Sequence, residues 1–233
     1  MENREIVLDT ETTGLDPASG DRLVEIACVE LVNSLPSGRT FHAYLNPERD
    51  VPHEAYRIHG LSTDFLRDKP KFHEICDSFL AFIEESRLII HNAEFDLKFL
   101  NSELQTVKRA AISPQRVTDT LALARKKHPG SPNSLDALCA RYRIDNSQRT
   151  KHGALLDSEL LAEVYLELTG GRQKALALQQ VSVMGSRADI GEILASRSGA
   201  LARPADRESL RRHRAFMQTF RGETVWDKYL SRK

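Results

Sequence analysis

The chain has 233 residues, 40% hydrophobic and 28% charged, with 33 Lys and Arg against 33 Asp and Glu. That length suffices for one well-packed domain and falls short of two large ones, and zero net charge excludes a polybasic binder acting by bulk charge. No apolar run reaches the roughly 18 residues of a membrane span, the first strand starts too early to leave room for a secretory apolar stretch, and Cys28, Cys76 and Cys139 lie too far apart for a CxxC zinc site. The expected setting is cytoplasmic, with no membrane partner.

Glu5-Ile-Val-Leu-Asp9 is a short apolar run ending in acid, the pattern of a buried central strand, and Thr10 to Gly14 reads as the chain leaving the sheet. Arg22 to Val32 is apolar nearly throughout and predicts a second strand. Thr40 to Leu45 alternates with period 2 as a third, with Leu35-Pro36-Ser37-Gly38 supplying the turn of the hairpin between them. Phe72 to Ile83 carries apolar residues at helical spacing, and Arg87 to His91 is again a short apolar strand. Further on, Phe95 to Leu104 reads as a helix, Arg116 to Thr118 as a short strand, and Leu121 to Lys126, Ser134 to Arg143 and Leu155 to Leu168 as helices. Asn133 or Ser134 is an N-cap candidate and Gly170 a C-cap candidate. A three-stranded meander followed by alternating helices and strands predicts an α/β layer fold with a mixed sheet.

Charge divides unevenly after Gly171. Residues 172–233 hold 13 Lys and Arg against 6 Asp and Glu, a net +7, so the body carries −7. Residues 172–205, rich in Ser, Ala, Gly and Arg towards their end, read as a flexible linker. Residues 206–233 contain Phe216, Phe220, Trp226 and Tyr229; such aromatics suit a segment that docks on a partner better than one that folds back on the body.

Asp9 and Glu11 stand two apart at the end of the first strand, so in extended geometry they point to one side and can share a divalent metal. On its own the bare D-x-E reads more readily as an acidic loop with an N-cap at Thr12 or Thr13. Burial argues for a cation, because unpaired carboxylates at a buried strand end are costly. Asp96 falls in the first turn of a helix, where it serves either such a site or the helix dipole. His152 precedes Gly153, and Asp157 follows five residues after the His; an imidazole can take a proton from an attacking water at neutral pH. Hard carboxylates suit Mg²⁺ or Mn²⁺, and two such ions support phosphodiester hydrolysis. HExxH, P-loop and GxSxG patterns are absent, which leaves zinc-protease, ATPase and serine-hydrolase readings without support.

The blocks IVLDTETTGL, EAYRIHGLS, HNAEFDLKFL and NSLDALCARYRIDNSQRTKHGALLDSELLAEVYL resemble, in this order, the DEDDh family of 3′–5′ exonucleases. Within that family the likeness is greatest to the proofreading subunits of bacterial replicative DNA polymerases, and it covers Ile6 to Gly171. The resemblance implies a ribonuclease H-like fold with a five-stranded mixed sheet flanked by helices, an exonuclease domain over residues 1–171, and two divalent ions, Mg²⁺ or Mn²⁺. By the same resemblance Asp9, Glu11 and Asp157 hold the metals, Asp96 acts through a coordinated water, and His152 is the general base. Thr10, Leu15, Glu54 and His59 would hold the 3′-terminal nucleotides, together with the metal-holding acids. It also implies DNA 3′ ends as substrate, a polymerase alpha subunit bound through residues 206–233, and a sliding clamp bound through Gln180 to Met184. An RNA-trimming or oligonucleotide-degrading nuclease, and a non-catalytic subunit that stabilises a polymerase, are the rival readings. The first predicts a preference for RNA and the second binding without metal-dependent cleavage.

Overall fold

The computed structural model describes residues 3–170, which belong to one compact unit, and residues 206–217, which belong to a second. Residues 171–205 and 218–233, with the linker, the Gln180 to Met184 peptide and most of the docking segment expected there, lie outside the described residues. In the first unit five strands form one mixed sheet: β1 (Arg4–Thr12), β2 (Leu23–Val32), β3 (Leu35–Tyr44), β4 (Arg87–Ile90) and β5 (Val117–Asp119), in the order β3-β2-β1-β4-β5. The first three are antiparallel, whereas β4 runs parallel to both β1 and β5. Helices α1 (His53–His59), α2 (Thr63–Leu66), α3 (Phe72–Ile83), α4 (Ala93–Thr106), α5 (Thr120–Lys127), α6 (Leu135–Tyr142) and α7 (Ala154–Leu168) flank it, with short 3-10 helices at Pro17–Ser19 and Pro114–Arg116.

Two apolar layers sandwich the central strand, and period-2 alternation sorts its side chains between them. Ile6 and Leu8 pack with Phe79, Leu97 and Leu100 of α3 and α4, while Val7 packs with Leu161 and Val164 of α7. Continued along β1, the same alternation assigns Thr10 to the α4 side and Asp9 and Glu11 to the α7 side.

The turn between β2 and β3 differs from expectation. It is formed by Asn33 and Ser34, with φ of 53° and 68°, and Leu35-Pro36-Ser37-Gly38 already belongs to β3. A two-residue turn with both residues left-handed matches the strand twist, and Pro36 is tolerated because β3 is an edge strand beside a register shift. The first strand also persists to Thr12, past Thr10, where the sequence suggested that the chain leaves the sheet. Helices α1 and α2 have no counterpart among the predicted elements. The former ends at Gly60, whose φ is +78° and where a Cβ would come 2.7 Å from the Lys151 side chain.

Ser134 caps α6 by accepting the Ala137 N–H, and Gly170, at φ 124°, follows the Thr169 cap of α7. The second unit contains the basic helix α8 (Arg207–Met217), within residues 206–233. No helix of the described residues is long and apolar enough to cross a membrane.

Candidate active site

A cavity of about 880 Å³ opens where β1 ends, and Asp9, Glu11, Asp96, His152 and Asp157 all line it. The four acids arrive from three pieces of local structure. Asp9 and Glu11 come from β1, Asp96 from the first turn of α4, and Asp157 from the first turn of α7. Asp96, Glu11 and Asp157 are buried, and Asp9 is half-buried. One ligand atom from each of Glu11, His152 and Asp157 lies within 4.8 Å of the others.

Thr10 joins the two layers at this point. Its hydroxyl donates to Asp96 Oδ1 at 2.7 Å, fixing the acid of α4 against the strand that carries Asp9 and Glu11. Leu15 lines the cavity edge and is 81% exposed, so it offers an apolar side chain to whatever enters. Glu54 and His59 are not among the lining residues. Glu54 is exposed on α1. His59 is buried, its Nδ1 accepts the Leu61 N–H at 3.0 Å, and its Nε2 has no hydrogen-bond partner among the described residues. The Ile58 carbonyl of the same helix accepts the His152 N–H at 3.1 Å, so α1 abuts the segment that carries the imidazole.

Burial and mutual repulsion push three of the acids upward. Asp9 is raised well above the usual carboxylate range by burial and then by Asp96, Glu11 and Asp157. Burial also lifts Glu11 to about 8, assisted by Asp157. Asp96 rises to about 7 through burial, against the lowering effect of the Thr10 hydroxyl. Asp157 goes the other way: its burial is outweighed by hydrogen bonds and charge from Arg149 and His152, which hold it below the usual range.

Two residues of this site were not singled out from the sequence. Arg149 donates to both Asp157 oxygens, at 2.6 and 2.7 Å, and to Asp136 Oδ1 at 2.7 Å. It lies three residues before His152 inside the block NSQRTKHGALLD, where nothing local separates it from its basic neighbours. Glu25 stands opposite Glu11 in the β1–β2 ladder, bonds His42 at 2.7 Å and accepts the Ala154 N–H at 3.2 Å. Because Gly153 has no side chain to cap α7, Glu25 does so from the sheet, three residues before Asp157. Glu25 is one of two acids in the otherwise apolar run LVEIACVELV, and nothing in the run separates it from Glu30, which pairs with Arg4 and Arg39 instead.

Converging hard oxygen donors, three of them uncompensated by any Lys or Arg at ion-pair distance among the described residues, fit a divalent cation of the Mg²⁺ or Mn²⁺ type. The exposed imidazole beside them can hold or move a proton.

The family described as Exonuclease matches residues 6–165 of the chain. The chain is 52% identical over 221 residues to the DNA polymerase III subunit epsilon of Rickettsia felis, covering 93% of this chain and 96% of that one. It is also 52% identical over 176 residues to the protein of the same name from Escherichia coli, covering 72% of each. Among solved structures, Exonuclease X in complex with 5′ overhanging duplex DNA aligns with a TM-score of 0.55 at 23% identity, over 71% of this chain and 90% of that one. The nuclease domain of 3′hExo, a DEDDh family member bound to rAMP, aligns with a TM-score of 0.61 at 18% identity, over 72% and 92%. Both likenesses are of fold: the five-stranded mixed sheet of this chain, flanked by helices, matches the ribonuclease H-like exonuclease fold.

Proposed function

The chain belongs to the exonuclease family, among the DNA polymerase III epsilon subunits, and on that premise we propose that it removes mispaired 3′-terminal nucleotides from DNA during replication. The observation that carries this reading is the convergence of four acids and one imidazole at the end of β1. The family is divalent-metal dependent. We assign the metals to Asp9, Glu11 and Asp157 as two ions, Mg²⁺ or Mn²⁺. When bound, the ions supply the positive charge that activates an attacking water and stabilises the departing oxyanion of the phosphodiester.

The chain's own residues divide the remaining work. His152, half-exposed at the cavity edge, takes the proton of the attacking water. Asp96, oriented by Thr10, holds water against the acidic centre. Leu15 and Thr10 flank the terminal nucleotide, and Glu54 and His59 of α1 bind its 3′ end and its neighbour. That last assignment is supported by the contact of α1 with the His152 segment and by the unpartnered His59 Nε2.

Selectivity for mispairs needs no reading of sequence. A terminal base must leave its stack to enter the cavity, and a mismatched base leaves at lower cost than a paired one. The body, at −7, has little charge attraction for phosphates, which suits a subunit that takes its DNA affinity from a polymerase. We assign polymerase alpha-subunit docking to residues 206–233 and clamp binding to Gln180 to Met184, within the linker 172–205.

The test is digestion of mismatched, matched and single-stranded DNA, and of equivalent RNA, by purified protein with Mg²⁺. Release of mononucleotides from mismatched DNA ends, lost in both Asp157→Ala and His152→Ala, is the expected result. A preference for RNA makes the chain a trimming nuclease instead, and no cleavage by any form leaves only the role of stabilising a polymerase.

A further inference from the structure

Arg149 sits in the segment between α6 and α7 with its side chain only 6% exposed. Its Nε and Nη2 occupy both Asp157 oxygens, at 2.6 and 2.7 Å, as a parallel fork. The same Nη2 lies 3.0 Å from His152 Nδ1. A guanidinium has donors and no acceptor, so in the tautomer with its proton on Nε2 the Nδ1 lone pair of His152 accepts from Arg149. One side chain therefore covers both the carboxylate assigned to metal binding and a lone pair of the imidazole assigned as the base. Its remaining nitrogen, Nη1, holds Asp136 Oδ1 at 2.7 Å, and Asp136 is 57% exposed at the cavity wall.

We propose that Arg149 is a resident counter-cation that latches Asp157 and His152 together and surrenders Asp157 to an incoming divalent cation while keeping its hold on Asp136. This inference rests on the assignment of Asp157 as a metal ligand. The fork takes one lone pair of each Asp157 oxygen and sets a full positive charge against both, so a divalent cation at either oxygen is repelled at close range until the fork opens. Abandoning a buried guanidinium would be costly, and Asp136 removes that cost by offering a second, partly solvated anion already within bonding distance. Opening the fork also withdraws Nη2 from His152, so the base is uncovered only in a loaded site. Without the cation, the latch neutralises one of four crowded carboxylates.

The experiment is Mn²⁺ binding to the full chain by titration calorimetry, without substrate, for the wild type, Arg149→Gln, Arg149→Lys and Asp157→Asn. Removing the fork should tighten Mn²⁺ binding about tenfold in Arg149→Gln, equivalent to ~1.4 kcal/mol. Arg149→Lys separates a latch from a general electric field, since it keeps the charge and loses the fork. It should bind Mn²⁺ at least about threefold more tightly than the wild type. Wild-type affinity in Arg149→Lys, or unchanged or weaker binding in Arg149→Gln, overturns the latch. Asp157→Asn should lose most Mn²⁺ affinity. If it does not, the ligand assignment itself fails, and the latch with it, whatever the arginine variants do. A second readout needs no variant fold: the Arg149 Nε–H resonance of the intact protein should shift when Mg²⁺ saturates the site, and a resonance unmoved at saturation overturns the proposal.

Discussion

On one wall of the cavity Asp157 is gripped by Arg149 and held ionised, whereas on the other Asp9, Glu11 and Asp96 are pressed towards their neutral forms. The residue types are the same and the burial is similar, so the difference lies in the partner. A guanidinium on one side satisfies charge, while on the other side carboxylates meet carboxylates. The bare wall is an electrostatic debt that the fold carries for function: it destabilises the metal-free protein and makes a strong site for a divalent cation.

The largest expected effect comes from discharging the bare wall. Asp9→Asn should lower Mg²⁺-dependent release of nucleotides from DNA 3′ ends by at least about 10³-fold, yet raise the melting temperature of the metal-free protein, because it removes repulsion. Nuclease assays beside thermal unfolding in chelator check both halves. A variant that loses activity and stability together breaks the comparison between the walls.

Next in size is the pH dependence of the metal-free fold. Glu11 and Asp96 titrate at about 8 and about 7 when folded, above an ordinary carboxyl near 4, so the folded state keeps protons that the unfolded state has lost. Stability from these groups is full below about pH 4 and is lost as pH rises through about 7 to 8. Asp157, whose pKa is depressed, acts in the opposite sense and loses its contribution in acid. Melting in chelator should therefore fall by about 5 °C or more between pH 6 and 8.5, and saturating Mg²⁺ should remove most of that slope.

Glu25 tests how the charged wall is held. Glu25→Ala leaves the Ala154 N–H and His42 without their acceptor and should cost about 1–3 kcal/mol of stability, read by urea unfolding. The start of α7 then loosens three residues before Asp157, and activity should fall about tenfold. The smallest effect is expected from removing residues 206–233. Single-stranded DNA hydrolysis should change less than about twofold, because both walls come from the first unit, while binding to the polymerase is lost.

Much of the site was legible because its members sit in short, strongly patterned stretches. The apolar run to Asp9, the helix start at Asp96 and the His152-to-Asp157 spacing are local features, and local features survive reading in one dimension. The hairpin was misplaced because Leu35-Pro36-Ser37-Gly38 has turn-forming residues, yet pairing across the edge strand prevailed and moved the turn to Asn33 and Ser34. Helix α1 carries no marked apolar stripe: of its seven residues, Ala55 and His59 are buried.

By itself the sequence determined the succession of the five strands and of α3 to α7, the apolar alternation of β1 and the positions of the four acids and the imidazole, because each depends on neighbours a few residues away. Only the tertiary structure decided which carboxylate is paired and which are bare. Arg149 meets Asp157 across a loop, Glu25 reaches Ala154 from 129 residues away, and Thr10 reaches Asp96 across 86. Charge balance in a buried site is set by distance in space, and the packing of α4 and α7 on opposite faces of one strand supplies those distances.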